Sequence, residues 1–322
     1  MKSLHRLLSI LLVGIIATSF SATASAADDV LRIGYQKYGT LILLKARGTL
    51  EKRLAPLGVS VSWTEFPAGP QLLEGLNVGS IDFGTVGETP PIFAQAANAQ
   101  IAYIGYEPPA PGAEAIVVPK DSPIKSVADL KGKKVVLNKG SNVHYLLVSA
   151  LAQAGLQYSD VETVFLPPAD ARAAFERGSV DAWVIWDPFL AAAESSIGAR
   201  VLKDGRSTVN NHQFYLAEKT YAARRPDVIA IAFDELKKVD EWAQAKPKDV
   251  AAALAPLTGL NASTLELAVT RGGYGVSYLN DKVIVEQQKI ADTFYNLKLI
   301  PKPLSIREVV WLPQETKKLA KK

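Results

Sequence analysis

Four loops in this chain each set a hydroxyl or a glycine just before an apolar, helix-forming run. They are Gly39-Thr40, Gly69-Pro70-Gln71, Thr89-Pro90 and Gly140-Ser141-Asn142. The start of a helix leaves backbone N–H groups unpaired and carries the positive end of the helix dipole, so such a loop can hold an anionic oxygen. Glycine at 39, 69 and 140 allows close approach to the backbone, and the hydroxyls of Thr40, Thr89 and Ser141 add donors. The same residue types also serve as plain helix caps. One such loop would not separate the two roles; four at equivalent strand ends favour the anion.

Acids and cations near these loops are ambiguous. Glu88 and Asp187 stand at helix starts, where a carboxylate caps the amides itself and repels an anion. Alternatively they border a pocket and pair with the cationic end of some ligands. Arg271, in Thr270-Arg271-Gly272-Gly273, either reaches the anion or makes a surface ion pair. Tyr35, Trp186, Phe189 and Phe214 stand beside the loops as core residues or as an apolar subsite, and Trp186 is expected to occupy the turn itself.

The residues for catalysis are sparse. Past His5, only His144 and His212 remain, too far apart for a metal motif, and His144 in a helix's first turn reads as structural. The chain holds no cysteine, no G-x-S-x-G elbow, no P-loop and no G-x-G-x-x-G. The pair Glu88 and Asp187 is the whole case for acid–base work. The chemistry points to binding rather than turnover, with no metal or cofactor.

The elements that must position these loops repeat. Phe66 falls over Phe165, Gly79-Ser80-Ile81-Asp82 over Gly178-Ser179-Val180-Asp181, and Glu88 over Asp187, all at one offset of 99 residues. Each copy runs strand, proline-bearing loop, short helix, G-S-x-D turn, strand, acidic turn, helix. A period so long excludes a solenoid. It predicts two α/β lobes, each with a mainly parallel sheet flanked by helices, facing each other across a ligand cleft.

Strands are expected at 31–35, 59–63, 81–86, 133–137, 164–166 and 180–185, with helices opening at Thr40, Gly69, Thr89, Ser141, Asp170 and Asp187. The loops at the carboxyl ends of the strands would face the cleft. Segments 115–118 and 214–217 are expected to join or border the lobes. The boundaries are 27–111 for the first part of lobe 1, 112–220 for lobe 2, and 221–322 for a return to lobe 1 with C-terminal helices.

Composition bounds the rest. Of 322 residues, 48% are apolar and 21% charged, enough for two cores. Residues 1–26 read as a cleavable signal peptide: Lys2 and Arg6, an apolar run from Leu7 to Ile16, then Ala24-Ser25-Ala26. A membrane anchor is the competing reading, but the run falls short of the roughly 20 apolar residues a spanning helix needs. The expected location is the bacterial periplasm, with the mature chain starting at Ala27. Without Lys2 and Arg6 the chain carries 34 basic against 32 acidic residues, and four lysines crowd its last six positions. No basic stripe suits nucleic acid.

These motifs resemble a known family. Tyr35-Gln36-Lys37, Glu65-Phe66-Pro67-Ala68-Gly69-Pro70-Gln71, Leu76-Asn77-Val78-Gly79-Ser80-Ile81-Asp82 and Pro90-Pro91-Ile92-Phe93-Ala94-Gln95-Ala96 are similar to the aliphatic-sulfonate binding proteins of bacterial ABC importers. So are Asp129-Leu130-Lys131-Gly132, the run from Pro168 to Phe175, and Ile185-Trp186-Asp187-Pro188. The resemblance runs from Leu31 to about Trp311 and extends to the wider sulfonate, nitrate and taurine binders. It implies a two-lobed periplasmic-binding-protein fold with two chain crossovers. It further implies a monomer that delivers alkanesulfonates to a membrane permease driven by a separate ATPase, for sulfur supply. Taurine, nitrate or another small organic anion is the alternative ligand, and an enzyme on the same fold is a more remote reading. By position, Gln36, Gly69, Pro70, Gln71, Gly87, Thr89, Ser141, Asn142, Trp186 and Asp187 fall in loops that line such clefts, with Arg271 added from its chemistry.

Overall fold

The computed structural model describes residues 29–311. The expected leader, the Ala27 start and the lysine tail lie outside that range. The first lobe opens with β1 (Asp29–Tyr35), α1 (Gly39–Arg47), α2 (Thr49–Leu54) and β2 (Val59–Glu65), then α3 (Gly69–Asn77), β3 (Phe83–Gly87), α4 (Pro90–Ala96) and β4 (Ile101–Tyr106). The chain crosses through 107–113 into β5 (Glu114–Val118), β6 (Lys134–Leu137), α5 (Asn142–Gln153), β7 (Glu162–Phe165), α6 (Pro168–Glu176), β8 (Ala182–Trp186), α7 (Phe189–Ile197) and β9 (Arg200–Asp204). It crosses back through 205–212 into β10 (Gln213–Glu218), α8 (Lys219–Arg224), α9 (Pro226–Ala245), α10 (Pro247–Thr258), α11 (Ala262–Arg271), β11 (Ser277–Tyr278) and α12 (Asp281–Asn296).

Two sheets result, in the orders β11-β4-β10-β3-β1-β2 and β7-β6-β8-β5-β9. The two-lobed α/β architecture is as expected, but each sheet is mixed rather than mainly parallel. β1 pairs in parallel with β2 and β3, and β6 with β7 and β8. β10 runs antiparallel to β3 and β4, and β5 to β8 and β9. The reason lies in the connections: β5 and β10 enter from the other lobe, with no crossover helix to set them parallel. β10 also lies inside the stretch assigned from sequence to the second lobe, yet it pairs in the first sheet.

Apolar side chains cover both faces of the first sheet. Leu41, Val228, Val250 and Leu265, from α1, α9, α10 and α11, pack on one face. Leu72, Ile92 and Ile284, from α3, α4 and α12, pack on the other. A separate core fills the second lobe, and it takes in Ala68 from the loop before α3. The lobes therefore touch. The crossings lie side by side: Ala110 N donates to Asn210 O at 3.0 Å, Glu107 N to Gln213 O at 2.9 Å and Gly205 N to Pro111 O at 2.9 Å. Among the described residues, no helix is long and apolar enough to cross a membrane.

Candidate functional site

Sequence places the helix starts at the cleft by two devices. Proline opens α3, α4 and α6, where its missing N–H costs nothing. Extended residues before α1, α3 and α5, namely Tyr38, Ala68 and Ser141, turn the chain out of the strand. Three expected openings shift, one of them from Asp187 to Phe189, where α7 begins with Pro188 at its cap. α1 begins at Gly39, which puts Thr40 inside the first turn instead of at the cap. Its hydroxyl lies between buried carboxyls, 3.0 Å from Glu107 Oε1 and 2.6 Å from Asp240 Oδ1. α6 begins at Pro168, ahead of Asp170.

The lobes meet where α5 faces the end of β3. A Cβ built on Gly87 would lie 2.8 Å from Asn142 Cβ, so only hydrogen fits there. Thr89 and Ser141 are both buried beside this contact. Among the described residues Thr89 Oγ1 has no hydrogen-bond partner. Ser141 Oγ donates to Asn138 O at 2.7 Å, and Gly140 N donates to His144 Nδ1 at 3.3 Å. The amides of Asn142 and Val143 at the α5 start have no partner among the described residues. α4 offers less than its sequence suggested, because Pro90 and Pro91 carry no N–H. That leaves the Thr89 amide and hydroxyl as its donors.

Two open spaces are lined from both lobes. One is lined by Gln36, Lys37, Tyr38, Glu65, Pro67, Pro168, Trp186 and Phe189, at strand ends of both lobes. The other is walled by Tyr38, Glu107, Trp186, Asp187, Asn211, Leu265 and Tyr274. They share Lys37, Tyr38 and Trp186 on their walls. Trp186 ends β8 rather than sitting in the turn beyond it.

Of the residues expected at the site, Gln36, Trp186 and Asp187 line these spaces, while Gly87 and Asn142 meet each other and neither they nor Thr89 and Ser141 are on those walls. Gln36 Nε2 donates to Thr85 O at 3.1 Å, which holds its side chain against β3. A Cβ on Gly69 would press within 2.9 Å of Pro90, so the α3 and α4 starts abut. Pro70 faces a groove between α3 and α4. Gln71 is half-buried, with Oε1 unpartnered among the described residues. Arg271 is the last residue of α11 and lies 2.6 Å from Glu194 and 3.6 Å from Asp187, part-buried, so acids already hold it.

Buried carboxyls surround the crossings. Glu88 Oε2 accepts from His212 N at 3.1 Å, and burial pushes its carboxyl up to about 8. Glu107 is pushed up to about 8 by burial and then by Asp240. Glu114 is raised well above the ordinary range by burial and Glu88, and it accepts from Asn142 Nδ2 at 2.5 Å. Asp187 precedes the cap of α7, which is Pro188, and accepts from Ala191 N in the helix's first turn at 2.9 Å; burial raises it to about 6, opposed by Arg271. His144 is held neutral, lowered to about 4 by burial and Lys139, as a structural residue would be. Sequence reasoning missed Tyr38, Glu107, Asn211 and Tyr274. A glutamate preceding Pro108-Pro109 was the one visible signal for the first crossing.

Two α/β lobes, two adjacent crossings and a cleft at their strand ends define a solute-binding protein of the periplasmic-binding-protein fold. The chain belongs to the NMT1/THI5-like family, whose model matches residues 58–250. It is 44% identical to the "Putative aliphatic sulfonates-binding protein" of Escherichia coli (strain K12), over 97% of this chain and 98% of that one. Among solved structures it is similar to the alkanesulfonate-binding protein SsuA from Xanthomonas axonopodis pv. citri bound to MOPS. That match has a TM-score of 0.83 and 41% identity, covering 88% of this chain and 98% of that one. The periplasmic aliphatic sulphonate binding protein SsuA from Escherichia coli matches with a TM-score of 0.80 and 46% identity, covering 89% and 93%.

Proposed function

We propose that this protein captures aliphatic sulfonates between its lobes in the periplasm and delivers them, as a monomer, to the permease of an ABC importer with its separate ATPase. The observation that carries this reading is the meeting of Asn142 at the α5 start with Gly87 of the other lobe, two residues from Thr89, whose hydroxyl has no partner among the described residues. A sulfonate is the anion of a strong acid, so it asks for donors and no proton-accepting base. Hydrogen bonds to a charged group are worth roughly 1.5–3 kcal/mol each, and a few reach the about 8 kcal/mol of a micromolar complex after the cost of association. The relatives named for sulfonates support the ligand class.

The anion is gripped from both lobes, by α5 on one side and Thr89 on the other, and binding is thereby coupled to closure. The organic tail lies towards Tyr38 and Trp186. The protein releases its ligand unchanged. Calorimetric titration with short alkanesulfonates, taurine, nitrate and sulfate tests this, with recovery of the ligand afterwards. Micromolar binding of an intact alkanesulfonate is expected; a stronger response to nitrate or sulfate, or any multiple-turnover conversion, contradicts it.

A further inference from the structure

Two glutamates reach the interlobe contact from opposite sides. Glu88 follows Gly87 at the end of β3 in the first lobe, and Glu114 opens β5 in the second. Glu114 Oε2 accepts from the side chain of Asn142, the residue packed on Gly87. The two glutamates are 1% and 0% exposed, and each keeps one oxygen, Oε1, without a partner among the described residues.

Among the described residues no lysine or arginine pairs with either carboxyl. His212 gives Glu88 its backbone N–H, while its ring nitrogens face Glu107 O at 2.8 Å and Glu286 Oε2 at 3.3 Å. Glu286 of α12 repels Glu88, and Tyr145 of α5 and Lys289 of α12 line the space that Glu88 borders. Glu114 faces Asn142 of α5 and lies near Tyr38, with Asp187 one residue beyond its strand partner Trp186. Arg206 lies by Gly112 in the first crossing but is bonded to Asp204.

A buried carboxylate without a counter-charge is costly, and such a group takes a proton instead. Burial pushes Glu88 up to about 8, and burial with Glu88 raises Glu114 well above the ordinary range. A sulfonate at the α5 start would add a negative charge beside both and raise them further. Parting the lobes at Gly87 and Asn142 would admit water and let the acids ionise in the ordinary carboxylate range. The closed form then holds more protons than the open one, so closure is favoured at the acid end and weakens as pH rises through about 8.

We propose that ligand capture takes up protons at Glu88 and Glu114, which close beside the sulfonate as neutral hydrogen-bond donors instead of carboxylates. The proposal rests on the sulfonate reading above and adds to it a control of affinity by pH.

The test counts protons directly. Parent protein and sodium 1-pentanesulfonate, a ligand with no proton to exchange, are mixed without buffer in a pH-stat at pH 7.5. Calorimetric titrations from pH 6.5 to 8.5 in sulfonate-free buffers run in parallel. Uptake of about half a proton or more per ligand is expected, with affinity falling by up to about tenfold per pH unit. Glu88→Gln and Glu114→Gln each keep an oxygen for His212 N or Asn142 Nδ2, and each should lower the uptake; the double variant should nearly abolish it. If the variants fail to fold, difference infrared spectra of the parent serve, and should gain protonated-carboxyl absorption as ligand binds. Binding without proton uptake, uptake at the parent's level in the double variant, or no such infrared gain overturns the coupling and leaves the sulfonate reading standing. A parent that binds no alkanesulfonate at any of these pH values takes both readings down.

Discussion

In each lobe a Gly-Ser-x-Asp turn ties the end of a helix to the start of a strand, and the aspartates of the two turns make the same pair of bonds to the neighbouring strand's backbone. Asp82 accepts from Arg32 N at 2.9 Å and returns its own amide to Arg32 O at 2.7 Å. Asp181 accepts from Lys134 N at 2.8 Å and donates to Lys134 O at 2.8 Å. Gly79 and Gly178 adopt φ of 70° and 69°, the left-handed conformation that ends a helix. The acids at the same offset, Glu88 and Asp187, diverge. Glu88 turns to His212 in the second crossing, while Asp187 accepts from Ala191 N in the first turn of α7 and lines a cavity. Where the copies agree the residues hold the fold; where they differ, one acid is tied to a crossing and the other to a helix of its own lobe.

The sharpest way to break this comparison is to prop the lobes apart. Gly87→Val places a branched side chain where even a Cβ meets Asn142 at 2.8 Å. Alkanesulfonate affinity, measured by calorimetry, is expected to drop more than 100-fold while the melting temperature stays near that of the parent.

The turns predict the reverse pattern. Asp82→Ala removes an acid bound both to Arg32 N and to its guanidinium, with Nε at 2.9 Å. It should destabilise by about 2–3 kcal/mol in urea unfolding. Asp181→Ala loses a single backbone bond and should cost about 1 kcal/mol. Neither should change the affinity of the remaining folded protein.

The acids can be compared through pH. Glu88 and Glu107 have folded values near 8, above those of an unfolded chain. Between about pH 4.5 and 8 the folded state thus holds more protons, so stability is fully present at the acid end and falls as pH rises through 8. Thermal unfolding should show a higher midpoint at pH 5.5 than at pH 8, and Glu88→Gln should flatten that slope. Asp187→Asn should alter it less, because its raised value lies near 6. The smallest expected effect is that of Ser141→Ala. Its hydroxyl proton already goes to Asn138 O, and the helix amides remain, so affinity should weaken by about 1 kcal/mol, roughly fivefold.

The fold was legible because its punctuation is local. Gly79 and Gly178 end helices, Pro70 and Pro90 begin them, and Val- and Ile-rich runs mark the strands. Strand direction was not, because β5 and β10 have the composition of their parallel neighbours and differ only in arriving from the other lobe. The helix starts at 69, 89 and 141 could be seen, since each is a strand end followed by a helix. The cavity wall could not: Tyr38, Glu107, Asn211 and Tyr274 come from four distant segments that only the two crossings and α11 bring together. The partners of Arg271 were hidden for the same reason, as α11 packs on α7 and brings it to Glu194.

The central claim is that the anion is held at the α5 start between the two lobes. Titration of Ser141→Asp with 1-pentanesulfonate, alongside its thermal unfolding, tests it most directly. The substitution sets a carboxylate where the sulfonate should lie and keeps a cap for the helix. The account predicts no detectable heat of binding at concentrations that saturate the parent, with a melting temperature within a few degrees of it. Parent-like binding by a folded Ser141→Asp would place the anion elsewhere and contradict the claim.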